Sequence, residues 1–426
     1  MLIFAVILFV ITYILFFVFS NHKHLIALGS ALLFVLVGTM PIEGILAAVD
    51  WNIILMLFGI MGVVNLFIES GMPTLIADKL IEKSKNFKWT IIYLAMFAGL
   101  VSAFVDNVAT VVIIAPIAIM ICKKLNVSPV APVIAIALSS NLEGAATLVG
   151  DTTAIILGSA LNMTFFDFFW YLERPGLFFI IQIALVAFTA VLYYLFRKQN
   201  EPIDISLNGD KVKVKTFFPT VLLGAIIVSL VISSFIQSDF ALLNGLICVA
   251  WFLVGLIYQS IRDKSVREVI PHIKEIDYQT LLILIGLFII IESIGYAGVI
   301  DAIGQFFVSV SSGNLFLLYT LIVFISVIVS AFIDNIPYVA TMLPIIAVVS
   351  TALGVDPTVL YFGLLSGATL GGNFTPIGAS ANIAALGILK KEGYTVSLKT
   401  YLKLSVPTTI VTVLTGYVLI WLTFGL

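Results

Sequence analysis

Ser102-Ala103-Phe104-Val105-Asp106-Asn107-Val108-Ala109-Thr110 and Ser330-Ala331-Phe332-Ile333-Asp334-Asn335-Ile336-Pro337-Tyr338 are two copies of one pattern. Each sets an acid and an amide in the middle of a strongly apolar run. Each then meets a proline nine residues after the Asn, at Pro116 and Pro344. An ionisable side chain at membrane depth is unfavourable and marks a functional site. Two of them, 228 residues apart, point to a duplicated site.

The composition around them defines the class. The chain has 426 residues, 61% of them hydrophobic and only 10% charged, where soluble domains carry roughly 25% charged residues. Apolar runs of about 20 residues recur throughout, so the fold class is all-α and polytopic in a membrane rather than a β-barrel. The run Met1–Ser20 has no basic start and no cleavage site, and it reads as a first span. The net charge of −2 says nothing about nucleic acid, and no basic tract suggests it. Cys122 and Cys248 form no metal or redox spacing, and His22, His24 and His272 fall in expected loops. No catalytic constellation is present, so the chain does not read as an enzyme.

Spans are expected near 1–20, 24–42 and 51–69, followed by a lysine-rich stretch from Asp78 to Lys88. The apolar run 89–122 is then too long for one crossing: as helix it would extend about 51 Å against a hydrocarbon core of about 30 Å. With Asp106-Asn107 at its midpoint and lysines at both ends, it reads as a re-entrant hairpin. Segment 128–160 is interrupted by Gly144 to Thr153, a broken helix whose freed backbone groups line a cavity. A span near 175–196 closes an N-terminal repeat over 1–199, and 200–215 is a polar cytoplasmic linker. The C-terminal repeat, 216–426, has spans near 216–236, 240–258 and 278–292, a hairpin at 314–350, a broken helix at 357–389 and a last span at 404–425. At the same offset, Gly144, Thr147 and Gly150 fall on Gly372, Thr375 and Gly378.

Five crossings plus one hairpin per half make the repeats inverted. That topology puts every Lys and Arg except Arg174 on one face, which the positive-inside rule makes cytoplasmic, with both termini outside. Inverted repeats with hairpins and broken helices describe a secondary transporter with its site near the midplane. Asp106-Asn107 and Asp334-Asn335 meet there, together with Thr110 and with Glu143, Thr147, Gly150, Asp151 and Thr152 from the first break. Asn373, Thr375, Gly378, Ser380 and Asn382 come from the second. Hard oxygen ligands suit Na⁺ and buried acids suit H⁺ as the coupling ion, with no other cofactor. The structural alternative for each Asp is capping of the helix that follows.

These residues resemble the ion-transporter superfamily, in particular the group of arsenite permeases, NhaD-type sodium–proton antiporters and the melanosomal P protein. The paired tips and Gly371-Gly372-Asn373 through Gly378-Ala379-Ser380-Ala381-Asn382 carry the resemblance. It implies a homodimer in the plasma membrane, an elevator-like transport domain, and sodium sites at Asn107 with Gly150 and at Asn335 with Gly378. Related dicarboxylate symporters keep Ser-Asn-Thr at both tips, and here Asp replaces that Ser. Two anionic tips repel a di- or tricarboxylate unless they are protonated or cation-loaded. The first break reads Gly150-Asp151-Thr152-Thr153-Ala154 where the group commonly has Gly-Asp-Pro-Pro-Asn. The expected substrate is a small inorganic ion, by Na⁺/H⁺ antiport or arsenite or oxyanion transport. The alternatives are a sodium-coupled citrate-like symporter and, more remotely, a channel.

Overall fold

Long apolar runs without water must satisfy their backbone internally, and helix is the local way to do so. The computed structural model describes residues 1–19, 22–199, 214–236, 240–265, 267 and 269–426. Linker residues 200–213, including Pro202 and Asn208 to Lys213, lie outside the described residues, as does Ser20 of the first span. The first half contains α1 (Leu2–Val18), α2 (Lys23–Leu36), α3 (Ile45–Ala48), α4 (Trp51–Glu69), α5 (Met72–Glu82), α6 (Phe87–Ser102), α7 (Asn107–Lys124), α8 (Val130–Gly144), α9 (Thr152–Ala160) and α10 (Leu177–Leu195). The second contains α11 (Phe218–Ser234), α12 (Leu243–Arg262), α13 (Val269–Lys274), α14 (Tyr278–Tyr296), α15 (Val299–Ser311), α16 (Leu315–Ser330), α17 (Asn335–Leu353), α18 (Thr358–Gly371), α19 (Ser380–Lys391) and α20 (Leu398–Phe424). Seven helical segments among the described residues are long and apolar enough to span a bilayer. The chain is a polytopic α-helical membrane protein, whose one sheet among the described residues is a two-residue ladder, Trp170–Tyr171 with Arg174–Pro175.

The packing falls into matching sets. Helix α2 lies on α14 as α4 lies on α12, and α6 lies on α8 as α16 lies on α18. Helix α7 packs on α19, and α17 on α9, so each half supplies the partner of the other's tip helix. Large apolar side chains remain on the outer surface, such as Val186 at 70% and Ile261 at 73% exposure. Lipid rather than water suits such a surface.

Chain breaks occur where the sequence carries short polar residues or glycine. Helix α6 ends at Ser102, Asp106 leaves the helical region with φ −44° and ψ 140°, and α7 begins at Asn107. Helix α8 ends at Gly144 and α9 starts after an extended Asp151. Every residue from 145 to 153 is buried in protein, the condition under which irregular backbone is tolerated at membrane depth.

Three elements differ from the sequence expectation. The second span ends at Leu36 rather than 42, because Gly38 adopts a left-handed φ of 77° and Pro41 follows. The stretch from Asp78 is half helical, within α5, and α15 stands at the matching place in the second half. Both are amphipathic and so escape a hydropathy reading. Neither His24 nor His272 is in a loop: His24 lies in α2, and His272 lies in α13, where it is buried with Nε2 3.3 Å from Glu69 Oε2.

Candidate functional site

Four helix starts converge at the centre: α7 after Asp106, α9 after Asp151, α17 after Asp334 and α19 after Ala379. The ends of α6, α8, α16 and α18 meet them. N–H groups and carbonyls at these helix ends therefore face one another inside the protein.

Two backbone cradles are built the same way. The Thr147 hydroxyl donates to the Ala103 carbonyl, and the Thr375 hydroxyl to the Ala331 carbonyl. Each Thr oxygen also accepts from the N–H two residues on, Val149 or Ile377, at 3.3 Å. These two threonines, expected as ligands, thus tie each hairpin tip to the adjacent break. Gly150 and Gly378 sit where a Cβ would lie 2.7 Å from the Gly144 oxygen and 2.6 Å from the Gly372 oxygen. The carbonyls of Ser102 and Ala103, or Ser330 and Ala331, crowd the same point. Only glycine permits that approach.

The amides form a chain across the halves. Asn107 Nδ2 donates to Asn141 Oδ1 at 3.0 Å, and Asn141 Nδ2 donates to Asn373 Oδ1 at 2.7 Å and Asn382 Oδ1 at 3.1 Å. Asn382 in turn donates to the Gly372 carbonyl at 3.0 Å. On the opposite side Asn335 Nδ2 donates to Asp151 Oδ2 at 3.1 Å, which also accepts from the Thr153 hydroxyl at 2.9 Å. Asn141 escaped the sequence reading although Ser139-Ser140-Asn141 interrupts an apolar helix. That polar triplet was its signal.

The two tip acids have unlike surroundings. Asp106 Oδ1 caps α7, accepting from Val108 N at 3.0 Å and Ala109 N at 3.1 Å. Its carboxylate also lines a cavity of about 170 Å³ with Gly150, Asp151, Thr152, Asn65 and, at the exposed end, Glu275 and Asp277. Asp334 makes no capping bond. Its Oδ2 accepts from Lys23 Nζ at 2.7 Å and from the Ser380 hydroxyl at 2.9 Å. Nothing in sequence spacing links Lys23 to a residue 311 positions away.

Two expected site residues join neither the cavity nor the hydrogen-bond networks described above. Glu143 is buried against Gln182, whose Nε2 donates to Oε2 at 2.7 Å, while its Cγ abuts Gly99. Thr110 is also buried, its hydroxyl directed at the Val105 carbonyl of its own hairpin at 3.5 Å.

Paired tips and interrupted helices meeting around carboxylates and amides are the parts of a membrane carrier, a secondary transporter. The chain belongs to the citrate transporter family, CitMHS, whose model matches residues 6–367. It is 30% identical over 99% of its length to the uncharacterized transporter Rv2684 of Mycobacterium tuberculosis, covering 98% of that protein. It is 27% identical to the human P protein over 86% of this chain and 53% of that one. The crystal structure of the Alcanivorax borkumensis YdaH transporter superposes with a TM-score of 0.61 over 90% of this chain and 88% of the other. At 15% identity that likeness speaks for the fold alone.

Proposed function

We propose that this chain is a cation-coupled carrier for a small inorganic ion, with Asp106 and Asp151 holding the cation. The observation that carries the reading is the lining of the Asp106 cavity. Asp106, Asp151, Glu275 and Asp277 line about 170 Å³, and among the described residues no Lys or Arg does. Like charges so close repel one another, and an entering Na⁺ or H⁺ relieves them. A free tricarboxylate would meet all four acids. The family's description favours a second reading, in which a carboxylate enters together with the cation that neutralises it.

The remaining parts of the proposal extend the same reading. The matched packing of α6–α8 with α16–α18, and of α7–α19 with α17–α9, supports inverted repeats moving as one elevator-like body. Glu275 and Asp277 beside Asp106, and Lys23 beside Asp334, come from stretches that the sequence reading assigns to the cytoplasmic side, which fits a carrier open to that side. Residence in the plasma membrane, both termini outside, and assembly as a homodimer complete the reading.

The test is a thermal-shift screen of the purified protein against Na⁺, Li⁺, arsenite, phosphate, sulfate and citrate, with and without Na⁺, across pH. Stabilisation by Na⁺ or by acid alone supports the first reading. Stabilisation by citrate only when Na⁺ is present supports the second, and stabilisation by citrate without any cation refutes the cation site.

A further inference from the structure

The two hairpin tips are equals in sequence and in backbone, yet they differ in what answers their charge. At Asp334 the Lys23 ammonium is 2.7 Å from Oδ2, and the two side chains are only 16% and 10% exposed. The cavity beside them, about 200 Å³, is otherwise walled by Phe16, Phe17, Phe332, Ile333, Pro337 and Ile377 among other apolar side chains. One anion and one cation face each other there, with the Ser380 hydroxyl as the third polar group. At Asp106 three more acids line the cavity, and among the described residues no ammonium or guanidinium does. Lysine is suited to the exchange because its head is a compact point charge on a flexible stem, close in character to a monovalent ion.

We propose that Lys23 is a tethered counter-cation, occupying at Asp334 the place that an exchangeable cation takes at Asp106. The carrier then has one exchangeable cation site where its duplicated backbone provides for two. This rests on the cation-coupled reading above and adds the number of sites to it. Lys23 begins α2, a helix packed on α14 and not part of either hairpin. On the elevator reading, Lys23 therefore stays with the scaffold while Asp334 travels. The pair forms in the described state and must part for the tip to move, so an empty second site is latched.

Equilibrium binding of radioactive sodium to purified wild type, Lys23→Met, Lys23→Met/Asp334→Asn and Asp106→Asn, at alkaline pH where protons compete least, tests this. Bound sodium per chain is expected to double in Lys23→Met and to return to the wild-type level in the double variant. Asp106→Asn is expected to lose the wild-type equivalent. If wild type binds no sodium but Lys23→Met gains an equivalent that Asp334→Asn removes, the counter-cation role stands and the Asp106 reading fails. If Lys23→Met binds no more than wild type, while Asp334→Asn restores its melting temperature, the pair is structural only and the proposal is overturned. Lys23→Gln, which keeps a polar head without the charge, is read the same way should Lys23→Met not fold.

Discussion

Replacing Gly378 by Ala tests whether the tip and the break are as close as the cradle requires. The added Cβ would lie 2.6 Å from the Gly372 and Ser330 oxygens and 2.8 Å from that of Ala331. Ordinary contact begins at 3.4 Å, so these oxygens must retreat by roughly 0.6 to 0.8 Å. They are backbone atoms at the ends of α16 and α18, two of them hydrogen-bonded to Asn382 and Thr375, so no flexible side chain can give way. Overpacking of this kind costs about 1–3 kcal/mol, and three simultaneous backbone contacts place Gly378→Ala at the upper end. Gly387, in α19 with nothing within 4 Å, is the control. Alanine there gains up to about 1 kcal/mol of helix propensity. The two substitutions should therefore differ by about 3–4 kcal/mol in opposite directions. Melting in detergent reads the difference, and uptake into proteoliposomes reads the displaced tip. Gly150→Ala, whose Cβ meets its nearest oxygen at 2.7 Å and two more at 3.1 Å, should be the milder lesion. Equal melting temperatures for Gly378→Ala and Gly387→Ala would refute the cradle.

Asn141→Leu strands the Asn107 donor and the Asn373 and Asn382 acceptors together. Bonds of this kind within membranes average about 0.6 kcal/mol, so three of them should cost about 2 kcal/mol in melting, with transport falling by more than stability does. Gly99→Val drives a side chain into Ser139 Oγ and Glu143 Cγ, which already lie 2.8 and 2.9 Å from the Cβ position. The second half pairs Val327 with Gly371 at the matching places, so Gly99→Val/Glu143→Gly should be more stable than Gly99→Val alone in the same melting assay. Lys123→Ala breaks an ion pair whose side chains are 51% and 42% exposed, and it should leave the melting temperature unchanged.

How much of this was legible in the sequence depends on whether a residue's role is local. Asp106-Asn107 and Asp334-Asn335 announced themselves because charge inside an apolar run has few explanations. The breaks did too, because Gly144, Gly150, Gly372 and Gly378 recur at one offset. Helices α5 and α15 were hidden by their mixed polarity. Asn141 was hidden by a segment apolar enough to be counted as a span. Lys23, Glu275 and Asp277 lie in or beside what reads as basic loop, and only tertiary packing brings them to the tips. The threonines were found, but composition could not tell a ligand from a hydroxyl already committed to the Ala103 or Ala331 carbonyl.

Asp106→Asn separates the two roles open to the first tip. The amide oxygen can still accept from Val108 N and Ala109 N, so the cap on α7 is kept while the charge facing the cavity is removed. The measurement is stabilisation of purified wild type and Asp106→Asn by Na⁺ across pH, alongside transport in proteoliposomes. The cation-site account predicts an unliganded melting temperature close to wild type, loss of the cation-dependent shift, and at least a tenfold fall in coupled transport, equivalent to about 1.4 kcal/mol. A variant that keeps both the shift and the transport rate would show that Asp106 only caps a helix and would contradict the account.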